Sequence, residues 1–404
     1  MTGTEIQHGE RDLGDPDLYL TDSRFDRWRE WAERDALVWS GPGTSPSGFW
    51  SVFSYEGCRQ VLAPGTPFSS EYGMMIGFDA WHPDRAGGRM VVVSDGAHHA
   101  RLRKVMGPFL SRGKAAELLA FVRQEAAALL ESAREPGTDV AAVLAPSLPA
   151  SVVCEILGVP PEDRGMMVEL TNHAFAGADN TFDRMTPEEA HSEILFYCHG
   201  LIERRRVERG DDIVSVMLHD EGMDPAEVLI NCDNLLIGGN ETTRHAIAGL
   251  FHALSTRPGA LDELRAAPDM THLATEEVLR WTSPAMHVLR TAIQDVTVLG
   301  TRVPKGMPVV AWLPAANRDT RVFADADEFV PTRRPNKHLG FGYGPHHCLG
   351  AALARLEISA FLDVLAQRVE SVALAAEPSR LRSNLVQGYR NLPIDLNWRQ
   401  TTKR

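Results

Sequence analysis

Cysteine is scarce in this chain of 404 residues, and the five that occur stand far apart. Cys58, Cys154, Cys198, Cys232 and Cys348 form no CxxC pair and no paired zinc-ligand spacing, and an odd, scattered set excludes a disulfide framework. Four of them read as small buried residues; Cys348 is set apart by its neighbours. Positive charge is also short. With 41 Lys and Arg against 54 Asp and Glu, the formal net charge is -13, the wrong sign for a nucleic-acid partner, because phosphate binding needs concentrated cations. A basic redox partner remains compatible. No run is expected to approach the roughly 18 apolar residues of a membrane span, and no basic-then-apolar opening resembles a signal peptide. These absences predict a cytoplasmic protein without a membrane. Internal repeats and low-complexity linkers are missing too.

What is present is enough apolar sequence, 44% of the chain, to bury an extensive core, and length alone suggests two or three domains. Residues 1 to about 20 are polar, with Gly14 and Asp15-Pro16, and read as a loosely ordered arm. A helical pattern from Arg24 to Val38 leads into short strands around Phe49 to Phe53. The stretch Ser69 to Gly88 mixes Tyr72, Met74, Met75, Ile76, Phe78 and Trp81 with glycines and predicts a long, partly apolar loop, a feature that tends to be functional. Helical periodicity then dominates from Ala100 to about Arg368, with breaks at Glu135-Pro136-Gly137 and Pro160-Pro161. Val296 to Leu299 and Pro308 to Trp312 carry the residues of a hairpin or small sheet. The fold class expected is mainly α with a small β region.

One helix can be delimited closely. Asp224 is a good N-cap, Pro225 suits the first helical position, Glu227 completes a capping box, and Pro258 marks the end. About 33 residues make a rod of roughly 50 Å, long enough to cross a domain. Its middle holds Gly238-Gly239-Asn240-Glu241-Thr242-Thr243. Each glycine costs on the order of 1 kcal/mol against Ala in a helix interior, so close approach of a ligand to the backbone is a reason for the pair.

The segment Phe341-Gly342-Tyr343-Gly344-Pro345-His346-His347-Cys348-Leu349-Gly350 precedes a helical run through Leu353, Leu356, Phe361 and Leu365. It puts Cys348 at a helix start, where backbone N–H groups and the macrodipole favour a thiolate. Glycines leave the backbone free to pass close beneath a flat ligand. A Cys thiolate can hold haem iron and pushes electron density onto it, which favours O–O cleavage.

FGYGPHHCLG resembles the cysteine-ligand signature of the cytochrome P-450 family, and further matches run from about Asp95 onward in the family's order. The resemblance implies the P-450 fold, haem b (iron protoporphyrin IX) as cofactor, and Cys348 as its metal ligand. Glu277 and Arg280 resemble the ExxR pair, whose i, i+3 spacing shares one helix face, and Arg333 is similar to its third member; together they would brace the cysteine loop. His99 and Arg103 match the HxxxR element. With Arg290, His338, His346 and Gly350 they occupy positions that resemble haem contacts, the cations facing the two propionates. Because these residues run from His99 to Cys348, a single haem-binding domain over 21–404 is the simpler expectation.

Gly238-Gly239-x-Glu241-Thr242 resembles the oxygen-activation motif, with Thr242 relaying a proton and Glu241 the acid that couples to solvent. The bland alternative is that Thr242 and Thr243 only bond back to helix carbonyls. By the family's layout, Met74, Met75, Ile76, Phe78, Leu235, Gly238, Met286, His287, Val288 and Tyr389 should face a small organic substrate. No flavin or iron–sulfur segment is recognisable, so the resemblance implies ferredoxin and ferredoxin reductase as electron donors. The tail of the chain resembles P-450s of antibiotic biosynthesis, some acting on carrier-protein-tethered acids. A peroxide-driven haem enzyme and a non-catalytic haem sensor are the alternatives that the residues leave open.

Overall fold

A computed structural model describes residues 7–8, 12–174, 185–219 and 223–400. Helices dominate, and the long rod expected from its caps is there: Pro225–Thr256, with the Asp224 side chain accepting the Ala226 N–H at 2.8 Å. Glu227 does not close the expected capping box; its carboxylate lies 2.8 Å from His98 Nε2 on the helix Gly96–Met106. The central helix is buried along most of its length. Its two close approaches fall where a side chain is missing: a Cβ at Gly239 would come within 2.6 Å of Val153 Cγ2 on the helix Ser147–Leu157, and one at Gly249 within 2.4 Å of Thr282 Cγ2 on the helix Thr271–Thr282. Against these pack the helices Arg112–Ser132 and Ala351–Arg368 to form the largest apolar cluster.

The β region is a three-stranded sheet, two two-stranded ribbons and, largest, a six-stranded sheet in the order Gln7–His8, Leu37–Ser40, Phe49–Val52, Pro308–Trp312, His287–Ala292, Phe68–Ser69. Phe49–Val52 runs parallel to Pro308–Trp312, and His287–Ala292 antiparallel to it, pairing Arg290 with Val309. Two expectations are corrected here. The helical reading of 24–38 ends early, at Glu33, and Leu37–Ser40 is a strand because Val38 and Leu37 are needed in the sheet's two apolar layers. Val296–Val298 does form a hairpin, with Thr301–Val303, but Pro308–Trp312 leaves it for the large sheet. The loop from Ser69 to Gly88 carries no helix and, beyond Ser69, no strand, as its glycines suggested.

The N-terminal arm is not loose where it is described. Leu13 and Tyr19 are buried against Trp28 and Trp312, and the Tyr19 hydroxyl donates to Leu13 O at 2.5 Å. The other residues of the arm, 1–6 and 9–11, lie outside the described residues. The apolar-run expectation also needs correction: 140–157 is long and apolar enough for a membrane span by length and composition. Most of it is buried in the protein core, where a continuous apolar stretch is what a helix packed on all sides requires.

Candidate active site

Glu277 is wholly buried, and it survives there because every lone pair is used. Arg280 forks onto it, Nε to Oε2 and Nη2 to Oε1, both at 2.8 Å; Arg333 Nε lies 3.1 and 3.0 Å from the two oxygens; the Val330 N–H and the Asn336 side chain donate at 2.8 and 3.0 Å. The remaining arms of both guanidinium groups reach backbone carbonyls at Asn317, Ala324, Asp325, Ala326 and Glu328. Asn317 extends the network: its side chain accepts the Leu339 N–H at 2.6 Å and donates to Ser283. Leu339 opens the cysteine loop, so the triad clamps the chain just before it.

A second bracket holds the loop from the helix that follows. Arg355 forks onto Glu276 at 2.6 and 2.8 Å, and His338 Nε2 lies 3.3 Å from the same carboxylate. Burial alone would raise the Glu276 carboxyl, but hydrogen bonds from Arg355 and His338 outweigh it and hold it at about 2. Between the brackets the Cys348 N–H donates to Phe341 O at 2.9 Å. The sulfur lies deep in the protein and is exposed through a cavity. Burial raises its thiol, opposed by the Gly350 N–H and by Arg103 and Arg355.

That cavity encloses about 1580 Å³ not filled by protein atoms, part of it open to solvent. Its walls are largely apolar, from Val91, Met106, Val152, Val153, Leu235 and Val288 among others, and Gly238, Gly239 and Thr242 of the central helix border it. Cationic and imidazole groups gather on it as well: Arg103, Arg290, His99 and His346. His346 stacks on His99 with ring centroids 3.9 Å apart, and its Nε2 donates to Asp95 Oδ1 at 3.2 Å, with Ser70 Oγ 3.1 Å away. Asp95 also accepts from the Ser69 hydroxyl and the Ser70 N–H. Burial, with His346 and Arg103 beside it, lowers His99 to about 4, and its Nε2 is buried without a partner among the described residues. Burial lowers Arg290 to about 10, and its Nη1 donates to the backbone carbonyl of Leu289 at 2.8 Å.

An apolar slot bordered by two guanidinium groups, Arg103 and Arg290, and by the unpartnered Nε2 of His99 fits a flat apolar ring that carries two carboxylates. A cysteine on the same cavity, its sulfur beside the Gly350 N–H, completes the donor set for an iron porphyrin. Fold and site together define a haem-thiolate monooxygenase.

The chain belongs to the cytochrome P-450 family. The family model, cytochrome P-450, matches residues 188–374. Cytochrome P-450 NovI of Streptomyces niveus is 35% identical over 395 residues, 95% of each chain. Among solved structures, P-450 OxyD, involved in the biosynthesis of vancomycin-type antibiotics, superposes with a TM-score of 0.94 at 57% identity, covering 96% of this chain and all of that one. P-450 BioI, solved with a fatty-acyl carrier protein, superposes with a TM-score of 0.81 at 26% identity over 93% of this chain and 99% of that one.

Not every residue singled out in the sequence lies on the cavity. His99, Arg103, Arg290, His346, Cys348, Gly350, Met74, Leu235, Gly238, Thr242 and Val288 line it; His338 does not, being held by Glu276. Met75, Ile76, Phe78, Met286 and His287 do not line it either. Met286 is core. His287 Nδ1 donates to Asn384 O at 2.9 Å and Nε2 accepts the Ile76 N–H at 3.1 Å, so this imidazole latches the loop to the C-terminal turn. Tyr389 borders a different, polar cleft. Glu241 is turned off the cavity toward Arg244 and His245, each at 3.3 Å. Burial would raise its carboxyl, but these neighbours outweigh burial and hold it below the usual range. Thr242 Oγ1 donates to Gly238 O at 3.1 Å, the back-bonding that was the bland alternative. Missed in the sequence were Asn234, Thr243, Ala246 and Glu357. Glu357, buried on the cysteine helix, lines the cavity with Oε2 unpartnered, and burial pushes its carboxyl well above the usual range. A lone Glu at that spacing carries no local signal of burial.

Proposed function

We propose that this monooxygenase inserts one oxygen atom from dioxygen into a small organic substrate in secondary-metabolite (antibiotic) biosynthesis. Cys348, with Gly350 beside it, would ligate the iron of haem b, and Arg103, Arg290, His99 and His346 would hold its carboxylates. The cofactor, once bound, supplies the electron transfer and the O–O cleavage. Residues 21–404 act as one unit in the cytoplasm, with electrons arriving from NAD(P)H through ferredoxin reductase and ferredoxin.

The observation that carries this reading is the Cys348 sulfur on an apolar cavity that Arg103, Arg290 and the unpartnered Nε2 of His99 also line. Thr242 Oγ1, on the cavity, holds a proton that can be given up there, and Glu241 renews it. Met74, Leu235, Gly238 and Val288 form the substrate wall. Likeness to OxyD supports the antibiotic setting, and the complex of BioI with a carrier protein supports a second reading in which the substrate is a carrier-protein-tethered acid.

The test begins with the carbon monoxide difference spectrum of the reduced protein beside its Cys348→Ala variant. A thiolate-type Soret band lost in the variant is expected; no band, or one that survives, overturns the assignment. Product formation that requires NAD(P)H, ferredoxin and reductase then separates this enzyme from a peroxide-driven one, and absence of product with every candidate substrate, free or carrier-bound, would favour a sensor.

A further inference from the structure

The asparagines of the central helix meet different fates. Asn231 is buried and bonded: its Oδ1 accepts the Val91 N–H at 2.9 Å and its Nδ2 donates to Arg89 O at 3.0 Å, pinning the turn Val91–Val93 to the helix. Asn240 is sealed, with both amide atoms buried and unpartnered among the described residues. Asn234 is neither. It is half-buried, its carboxamide has no hydrogen-bond partner among the described residues, and its polar atoms keep accessible surface. The hollow it borders is the cavity of Cys348.

Asn234, Leu235, Gly238 and Thr242 recur at helical spacing and share the cavity face. At 1.5 Å per residue, Asn234 lies about 6 Å along the axis from Gly238 and about 12 Å from Thr242. Val91 and Val92, on the turn that Asn231 fixes one helical turn earlier, line the cavity too. Other polar groups of the wall are engaged or buried. Thr242 bonds to Gly238 O, the Tyr343 hydroxyl accepts from Arg59 at 2.9 Å, and Thr243 is buried. Arg103, Arg290, His99 and His346 serve the haem carboxylates in the reading given above, and Glu357 belongs to the cysteine helix.

We propose that Asn234 determines substrate specificity: its carboxamide binds an uncharged hydrogen-bonding group of the substrate, an amide or a hydroxyl, and so sets which carbon is oxidised. The inference rests on the monooxygenase reading of this cavity. A carboxamide offers donors and an acceptor together, which an amide or hydroxyl can match. An ionised group would leave water with no countercharge on this part of the wall, and a purely apolar substrate would leave the carboxamide unpaired. Oxygen is delivered beside Gly238 and Thr242, so the held group and the oxidised carbon stand roughly 6–12 Å apart.

The test uses the intact protein with octanamide and octane as probes, their binding read by equilibrium dialysis. Asn234→Leu keeps the bulk of the side chain and removes its polar atoms. It should lower the octanamide-to-octane affinity ratio about tenfold, the worth of one neutral hydrogen bond. Asn234→Gln should retain the preference while moving the hydroxylated carbon of octanamide along the chain. Both variants should keep the wild-type melting temperature and carbon monoxide Soret band. An unchanged ratio in Asn234→Leu, or wild-type protein that binds octanoate as tightly as octanamide, overturns the proposal. Equal loss of octane and octanamide marks a packing role and overturns it as well. A ratio that falls as expected in protein lacking the thiolate-type Soret band strikes the haem reading and upholds the role of Asn234.

Discussion

Arg280 and Glu277 meet fork to fork at 2.8 Å on both arms, with neither side chain exposed to solvent. A buried pair of this kind contributes little net stability, yet losing Arg280 strips the Glu277 carboxylate of two of its bonds and leaves its charge to Arg333 alone, at a cost of up to about 3–5 kcal/mol. Arg280→Ala should therefore give protein without a carbon monoxide Soret band, and Arg280→Lys should not rescue it, since an ammonium cannot supply the five donors used here. Haem incorporation in the two variants is the measurement; normal incorporation in Arg280→Lys would mean the geometry matters less than the charge.

The two glycines of the central helix should separate on substitution. A Cβ at Gly239 meets Val153 Cγ2 at 2.6 Å, whereas one at Gly238 meets nothing within 4 Å. Gly239→Ala should be destabilised by about 1–3 kcal/mol through overpacking. Gly238→Ala should gain up to about 1 kcal/mol of helix propensity while its methyl narrows the cavity, altering which substrates bind. Denaturant melts read the first effect and binding-induced spectral shifts the second.

Substrate-wall residues should likewise divide. Val288→Phe projects into the cavity and should weaken binding of large substrates, while Tyr389→Phe, on the polar cleft, should leave substrate binding unchanged. Titration of one ligand against both variants checks this.

These contrasts mark what could be read without coordinates. Cys348, the ExxR pair and the Asp224 cap were legible because each is a local pattern whose chemistry demands close spacing. Positions off the cavity were not: His287 and Val288 are consecutive on one strand, so alternation sends Val288 to the cavity and His287 away from it, while Met286, just before the strand, packs into the core. Glu241 was legible as an acid but not in its orientation, because Arg244 and His245 compete for it from the next turn. Asn317, which ties the triad to the cysteine loop, has no sequence signal at all.

The strand alternation that removes His287 from the substrate gives it a pH-dependent task. Its ring is neutral by construction: Nε2 must accept from the Ile76 N–H while Nδ1–H donates to Asn384 O. Burial lowers its pKa from 6.5 to about 4, opposed by the bond to Asn384. The unfolded chain thus binds this proton at a higher pH than the folded one. Stability from this group is fully present above pH 6.5, declines as pH falls, and is gone below about 4, a loss on the order of 3 kcal/mol. His287→Gln should flatten the stability profile across that window relative to the wild type, with denaturant melts at a series of pH values as the check. Amide exchange at Ile76 should accelerate first on acidification, because protonating Nε2 removes that N–H's acceptor; a profile equally steep in His287→Gln would assign the acid sensitivity to other groups.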